Sequence, residues 1–308
     1  MIQLMVLDDE ADALRAALAP RLPADITARY YRHGADVDRD GLAAEVAFGQ
    51  PDALAAVLPR MRYLRWLQST WAGVTSLIEA GREDYCLTGV KGIFGALMSE
   101  YVLGWLLAQE RGVLRHAQAT HWQRPPERSL ADLRLGIAGV GSIGAEVATR
   151  CAPFFREVRG MNRSGAPVAA CDRCYAVSDR LAFAADLDAL VLLLPDTPAT
   201  RGIADAQLLA ALRPGATLIS AGRAAALDLD AALVCLESGA LAALVLDVLA
   251  REPLPDGDPL WHTPGVYITS HSAAPTESGA IVELFLDNLR RYRAGEPLRG
   301  RIDFARGY

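Results

Sequence analysis

The sequence predicts an α/β protein of two domains, each built on a parallel sheet with helices laid against it. Three observations carry that prediction. Short apolar runs alternate with amphipathic stretches along most of the chain, the pattern of strands joined by crossover helices. One such run, residues 135–138, leads into Gly139, Gly141 and Gly144, spaced G-x-G-x-x-G, and a helical pattern follows at once. A length of 308 residues is long for one compact core and comfortable for two.

Each glycine has a physical task. Gly139 makes the tight turn, Gly141 lets the backbone approach a pyrophosphate, and Gly144 lets the helix pack close to its strand. Gly139, Gly141, Ser142, Ile143 and Gly144 therefore form a candidate phosphate cradle at a helix N-terminus, and a dinucleotide is the expected ligand. The strand after it, residues 157–161, ends in Asn162, Arg163 and Ser164. An NAD site usually carries an acidic residue about 20 positions past the glycines to bind the ribose hydroxyls. Here a guanidinium and a hydroxyl stand in that place, the partners a 2′-phosphate requires. NADP(H) is the favoured cofactor, with NAD(H) as the alternative.

Residues 1–97 read as a small α/β domain, with strands at 3–7, 26–31, 44–48, 63–68 and 85–88. It has no glycine fingerprint of its own. Ala72, Gly73 and Val74 follow its fourth strand, at the carboxyl end where open parallel sheets bind ligands, so their N–H groups are candidates to hold a small carboxylate. A long helical pattern from Met98 to about Trp122 then leads to a polar break, residues 123–129, before the glycine strand. Further strands are expected at 189–194, 217–220, 243–248 and 266–269, which makes the second half a doubly wound, Rossmann-like sheet.

Bulk chemistry excludes several functions. A net charge of −6 and no basic stripe argue against nucleic acid. The chain opens directly on a strand, with no leader pattern, and no run reaches about 18 apolar residues, so no membrane partner and a cytoplasmic location are expected. The five cysteines include one C-x-x-C pair, Cys171 and Cys174, without a second pair or a nearby histidine. They read as reduced thiols, and no metal site is expected.

With only five histidines in the chain, the search for an acid/base group is short. His271 lies just past the last strand, Glu252 just past the strand before it, and Arg223 past the strand before that. A cation for an anionic substrate, a histidine to exchange a proton and a carboxylate to orient it are the parts needed to reduce a 2-keto acid.

These residues also carry a family resemblance. The combination of GVGSIG, SAGR, LDVLAREPLP, PLWHTPGVYITSH and a long linking helix resembles the D-isomer-specific 2-hydroxyacid dehydrogenases over essentially the whole chain. AGV followed by KGIFGALMSEYVLG is most similar to their glyoxylate/hydroxypyruvate reductase branch. The resemblance implies that Arg223 binds the substrate carboxylate and helps polarise its ketone. His271 would then donate the proton, Glu252 would hold the imidazole, and Asp247 would contact the nicotinamide carboxamide. It also implies that Ala72, Gly73 and Val74 bind the carboxylate.

For the architecture, the resemblance implies a discontinuous flavodoxin-like substrate domain, residues 1–97 with 276–308, and a Rossmann domain, residues 98–275, with the catalytic cleft between them. The helix after Met98 resembles the segment through which these enzymes dimerise, so a homodimer is expected. SAGR and SHSAAP depart from the family's commoner forms without removing a catalytic group. Trp71 beside the carboxylate loop and Phe48, expected in a pocket-lining loop, are candidates to restrict the substrate to glyoxylate or hydroxypyruvate. The expected activity is NADPH-preferring reduction of small 2-keto acids. The alternatives are NAD-linked oxidation of another D-2-hydroxy acid, or a dinucleotide-sensing binding protein without turnover. Glu252, where formate dehydrogenases have glutamine, disfavours that activity.

Overall fold

The computed structural model describes residues 1–122, 124 and 127–307; Gln123, Pro125 and Pro126 of the expected polar break, and Tyr308, lie outside the described residues. The chain divides into two compact units, Met1–Ile93 with Thr276–Tyr308, and Phe94–Pro275. The first junction thus falls at 93/94 rather than at the 97/98 read from the sequence.

Along the chain the first elements are β1 (Ile2–Leu7), α1 (Ala11–Leu18), β2 (Ile26–Tyr31), α2 (Arg39–Leu42), β3 (Val46–Gly49) and α3 (Pro51–Val57). Then come β4 (Trp66–Ser69), α4 (Thr75–Glu79), β5 (Cys86–Thr88), α5 (Gly95–Glu110), α6 (Val113–Ala117), β6 (Arg134–Ala138) and α7 (Ser142–Cys151). The remainder is β7 (Glu157–Asn162), β8 (Arg173–Ala176), α8 (Arg180–Ala184), β9 (Ala189–Leu192), α9 (Ala206–Ala210), β10 (Ala216–Ser220), α10 (Leu229–Glu237), β11 (Leu241–Leu246), β12 (Val266–Ile268) and α11 (Ser278–Ala294).

The first unit is a parallel five-stranded sheet of order β2-β1-β3-β4-β5. Because helices cover both faces, every residue of β3 and β4 is buried. That corrects the reading of Phe48 as a pocket-lining loop residue. It lies within β3, has no exposed surface, and stacks on Phe285 of α11 with ring centroids 4.4 Å apart. Phe285 in turn stacks on Trp66 at 5.2 Å. A buried polar network fixes the same helix: Asn288 donates to Gln68 Oε1 (3.0 Å) and accepts from the Arg299 N–H (2.8 Å). Thr88 also donates to Gln68 Oε1 (2.8 Å), so the amides buried under α11 are satisfied rather than stranded. After α11 the chain returns to the sheet edge, where the Ile302 N–H bonds the Leu87 carbonyl and the Ile302 side chain joins the core.

The second unit is a seven-stranded parallel sheet of order β12-β11-β10-β9-β6-β7-β8. Strand order reverses at β6, the glycine-motif strand, which makes its carboxyl end the topological switch point. Strand β8 was not expected; it is a four-residue edge strand carrying Arg173 on an exposed position, too short and mixed to show alternation. The helix expected from Met98 to Trp122 is two helices. Gly112 takes a left-handed backbone (φ +61°), which ends α5 and starts α6 in a new direction.

Where the chain after α6 reaches the sheet, an ion network is built around Asp188, which has no exposed surface. Its Oδ1 accepts from Arg128 (3.0 Å) and Arg213 (3.1 Å), and its Oδ2 from the Arg134 N–H (3.0 Å). Arg128 also forks onto the buried Glu110 at 2.7 and 2.9 Å. Among the described residues no helix is long and apolar enough to cross a membrane.

Candidate active site

The carboxyl end of β6 has the form a pyrophosphate requires. Gly139 adopts φ +102°, and a Cβ there would lie 2.6 Å from the Leu193 carbonyl oxygen. A Cβ on Gly144 would lie 2.2 Å from the Gly139 carbonyl oxygen, so helix and turn are as close as backbones allow. Gly141 differs: a Cβ there meets nothing within 4 Å, and the space beside it is open. The first intrahelical bond of α7 runs from the Ala145 N–H to the Gly141 carbonyl, which leaves the Ser142, Ile143 and Gly144 amides ahead of it without helical partners. Open space against a glycine, facing unspent N–H donors, fits a dinucleotide phosphate.

A pair of variants separates the two kinds of glycine. Gly144→Ala forces backbone apart and is expected to cost about 1–3 kcal/mol of stability. Gly141→Ala is expected to leave the melting temperature within about 1 °C while weakening dinucleotide binding about tenfold or more, through lost charge-assisted hydrogen bonds. Thermal melts and fluorescence titrations read both; equal melting temperatures for the two variants would contradict the packing argument.

At the end of β7 the structure revises one expected role. The Asn162 side chain is occupied by its own turn: Oδ1 accepts from the Ser164 and Ala166 N–H groups (both 3.1 Å), and Nδ2 donates to the Ala166 carbonyl (2.8 Å). Asn162 therefore shapes the loop that presents Arg163 and Ser164, both exposed.

Arg223, Asp247, Glu252 and His271 follow β10, β11 and β12, three neighbouring strands of the same sheet. Glu252 and His271 meet: Oε2 lies 2.8 Å from Nδ1, and Oε1 accepts the Leu249 N–H at 2.8 Å. With Nδ1 engaged, Nε2 is the ring nitrogen left to exchange a proton. Arg223 spends one donor on the Gly222 carbonyl (2.8 Å). Gly222 is required there, since a Cβ would lie 2.6 Å from the Leu194 nitrogen.

Asp247 is buried and organises the histidine loop. Its carbonyl accepts the His271 N–H (2.8 Å), and its Oδ1 accepts the Ser272 and Ala273 N–H groups (2.8 and 3.1 Å) and the Thr269 hydroxyl (2.6 Å). Ser270 and His271 are both left-handed, at φ +53° and +58°. Two consecutive non-glycine residues in that region are costly and persist only where their surroundings fix them. Thr269 went unnoticed in the sequence, because nothing local marks a strand-end threonine as a ligand of a carboxylate in the preceding strand's loop.

In the first unit, Ala72 and Gly73 lie in the loop between β4 and α4, and Val74, buried, caps α4. Ser69 Oγ braces this loop, accepting the Trp71 N–H (3.0 Å) and donating to the Trp71 carbonyl (2.8 Å). The Trp71 side chain stays exposed. Beneath it Thr70 donates to Asp8 (2.9 Å), a carboxylate whose burial raises its pKa above the ordinary value. In the second unit Cys171 and Cys174 are free thiols, and burial, with Cys174 alongside, pushes Cys171 up to about 12.

The chain is similar to known proteins in sequence and in fold. The family model described as D-isomer specific 2-hydroxyacid dehydrogenase, NAD binding domain, matches residues 104–273. Glyoxylate/hydroxypyruvate reductase A of Serratia proteamaculans (strain 568) is 36% identical over 214 residues, covering 68% of each chain. Among solved structures, a D-isomer specific 2-hydroxyacid dehydrogenase family protein from Aeromonas salmonicida superposes with a TM-score of 0.89 at 34% identity, over 98% of this chain and 99% of that one. An NADPH-dependent glyoxylate/hydroxypyruvate reductase from Sinorhizobium meliloti, solved with NADP and sulfate, superposes with a TM-score of 0.89 at 28% identity, over the full length of both chains.

Proposed function

Because the chain belongs to the D-isomer-specific 2-hydroxyacid dehydrogenases, in their glyoxylate/hydroxypyruvate reductase branch, and is thus a nicotinamide-dependent oxidoreductase, we propose that it reduces small 2-keto acids with NADPH. The observation that carries the reading is the Glu252–His271 pair, 2.8 Å apart, past the ends of β11 and β12, in the sheet where Arg223 follows the end of β10.

When bound, the nicotinamide supplies hydride to the carbonyl carbon of the keto acid. His271 supplies the matching proton from Nε2 to the carbonyl oxygen, so ketone becomes hydroxyl. Glu252 accepts from Nδ1–H, fixing the ring's tautomer and orientation so that Nε2 faces the transfer. Arg223 keeps donors for the substrate carboxylate and draws electron density from the ketone. Asp247 Oδ2, which has no partner among the described residues, is the acceptor for the nicotinamide carboxamide. The Ala72, Gly73 and Val74 amides bind carboxylate, and exposed Trp71 limits the size of the acid. Phe48 has no such role.

Arg163 and Ser164, on the loop built by Asn162, take the 2′-phosphate. Solution of the Sinorhizobium reductase with NADP supports this choice of cofactor. The protein also self-associates as a homodimer through α5, which carries apolar residues all round and leaves Leu107 exposed while Met98, Val102 and Leu106 are buried.

The test follows nicotinamide absorbance with NADPH or NADH against glyoxylate, hydroxypyruvate, pyruvate and a bulkier 2-keto acid. Faster consumption of NADPH with glyoxylate and hydroxypyruvate than with pyruvate or the bulkier acid is expected. Arg163→Ala is expected to raise KM for NADPH about 10- to 100-fold, the loss of a charge-assisted phosphate contact, and to leave KM for NADH unchanged. Cofactor binding without turnover on any of the four acids would overturn the reading in favour of a dinucleotide sensor.

A further inference from the structure

The loop that carries His271 is tied to a residue far from it in sequence. Tyr101, on α5, places its hydroxyl 2.8 Å from Thr269 Oγ1. Thr269 has a single hydroxyl proton and gives it to Asp247 Oδ1 at 2.6 Å, so Tyr101 must be the donor of its pair. The direction of the chain is therefore fixed: Tyr101 O–H to Thr269, Thr269 O–H to Asp247. Oδ1 of the same carboxylate receives the Ser272 and Ala273 N–H groups, and these bonds close the turn on which Ser270 and His271 hold their left-handed conformations.

We propose that Tyr101, acting through the Thr269 hydroxyl, is a positioning residue that orients the Asp247 carboxylate and thereby holds the His271 loop in its strained form. The argument is one of counting. A carboxylate can rotate about its last bond, and Oδ1 is held by the Ser272 and Ala273 N–H groups. The Thr269 hydroxyl, from the residue just past β12, adds a third and shortest bond to Oδ1. Thr269 can serve only while its own hydroxyl is turned toward Asp247, and a donor at its lone pairs enforces that rotamer. Tyr101 is suited to the task. Its ring is held beside Trp105, with centroids 6.4 Å apart, and burial, with Asp247 nearby, pushes its phenol well above the ordinary tyrosine range, so it remains a donor at neutral and alkaline pH.

That Tyr101 matters for turnover rests on the reading of His271 as proton donor; that it holds the loop does not. Tyr101→Phe keeps the ring and removes the donor. In the cofactor-free protein, amide hydrogen exchange at Ser272 and Ala273 is expected to accelerate about fivefold, the factor for one ordinary hydrogen bond, with exchange inside β6 and β9 unchanged. Thr269→Val should do the same, Thr269→Ser should restore slow exchange, and the double variant Tyr101→Phe/Thr269→Val should be no faster than the faster single one, because both act along one chain. In turnover, kcat falls about fivefold for Tyr101→Phe while the fluorescence-titrated NADPH Kd stays within about twofold.

Unchanged exchange at residues 272 and 273 in both Tyr101→Phe and Thr269→Val overturns the proposal, as does additivity in the double variant. If the unmodified enzyme turns over no keto acid, the proton-donor reading falls, and the exchange comparison still decides whether Tyr101 holds the loop.

Discussion

Replacing His271 by asparagine is expected to lower kcat for keto-acid reduction by about 10²–10⁴, the usual contribution of a positioned proton donor, while NADPH binding is retained. Asparagine is the informative choice. At φ +58° an alanine would add a backbone penalty of about 1 kcal/mol or more to the loss of the imidazole, whereas asparagine tolerates the left-handed region. With His271→Asn the loop keeps its bonds to Asp247, and the lost activity reports chemistry alone. Glu252→Gln should cost less, because the amide still offers an oxygen to Nδ1–H, and only the charge assistance of that hydrogen bond is lost. Steady-state rates beside a fluorescence titration decide the matter. A His271→Asn enzyme within tenfold of the parent rate would remove the histidine from the mechanism.

Asp188→Ala is expected to be the most damaging single change to stability. The variant deletes an anion with no exposed surface, strips Arg128 and Arg213 of a shared partner and leaves the Arg134 N–H unpaired. Breaking a buried ion pair from one side costs about 3–5 kcal/mol. The two guanidinium groups are more than a third exposed and recover some hydration, which places the cost near the lower figure. At about 2–4 °C per kcal/mol for a unit of this size, the melting transition drops by roughly 6–12 °C. Asp188→Asn, which can still accept from Arg134, should lose less. A scan showing Asp188→Ala within 2 °C of the parent would mean that the network is a surface ornament.

Much of this was legible in the sequence, for reasons that can be named. The glycine motif could be read because each glycine answers a local steric demand: Gly139, Gly141 and Gly144 have distinct surroundings, and only Gly141 opens on free space. Strand ends could be read because β10, β11 and β12 are apolar runs, and the polar residues after them mark where the runs stop. Phe48 was misplaced because β3 is buried on both faces, and a strand without polar alternation does not announce its last residue. The break at Gly112 was hidden because good helix formers flank it, Gln109, Glu110 and Arg111 before and Leu114 and Arg115 after, and a lone glycine among them does not announce a left-handed turn. The Tyr101–Thr269–Asp247 chain had no signal at all. Its members come from a helix and two strand ends, and their relation exists only once the second sheet is assembled.

The first unit is interrupted by the second. Its covering helix α11 and its core residue Ile302 are encoded after the whole of residues 94–275. During synthesis, β3 and β4 leave the ribosome about 10–40 s before Phe285 does, at 5–20 residues per second. For that interval the aromatic face formed by Phe48 and Trp66 has no helix to cover it, whereas the Rossmann unit emerges as one unbroken segment. The nascent chain therefore completes its nucleotide-binding half first, and the half translated earliest closes last.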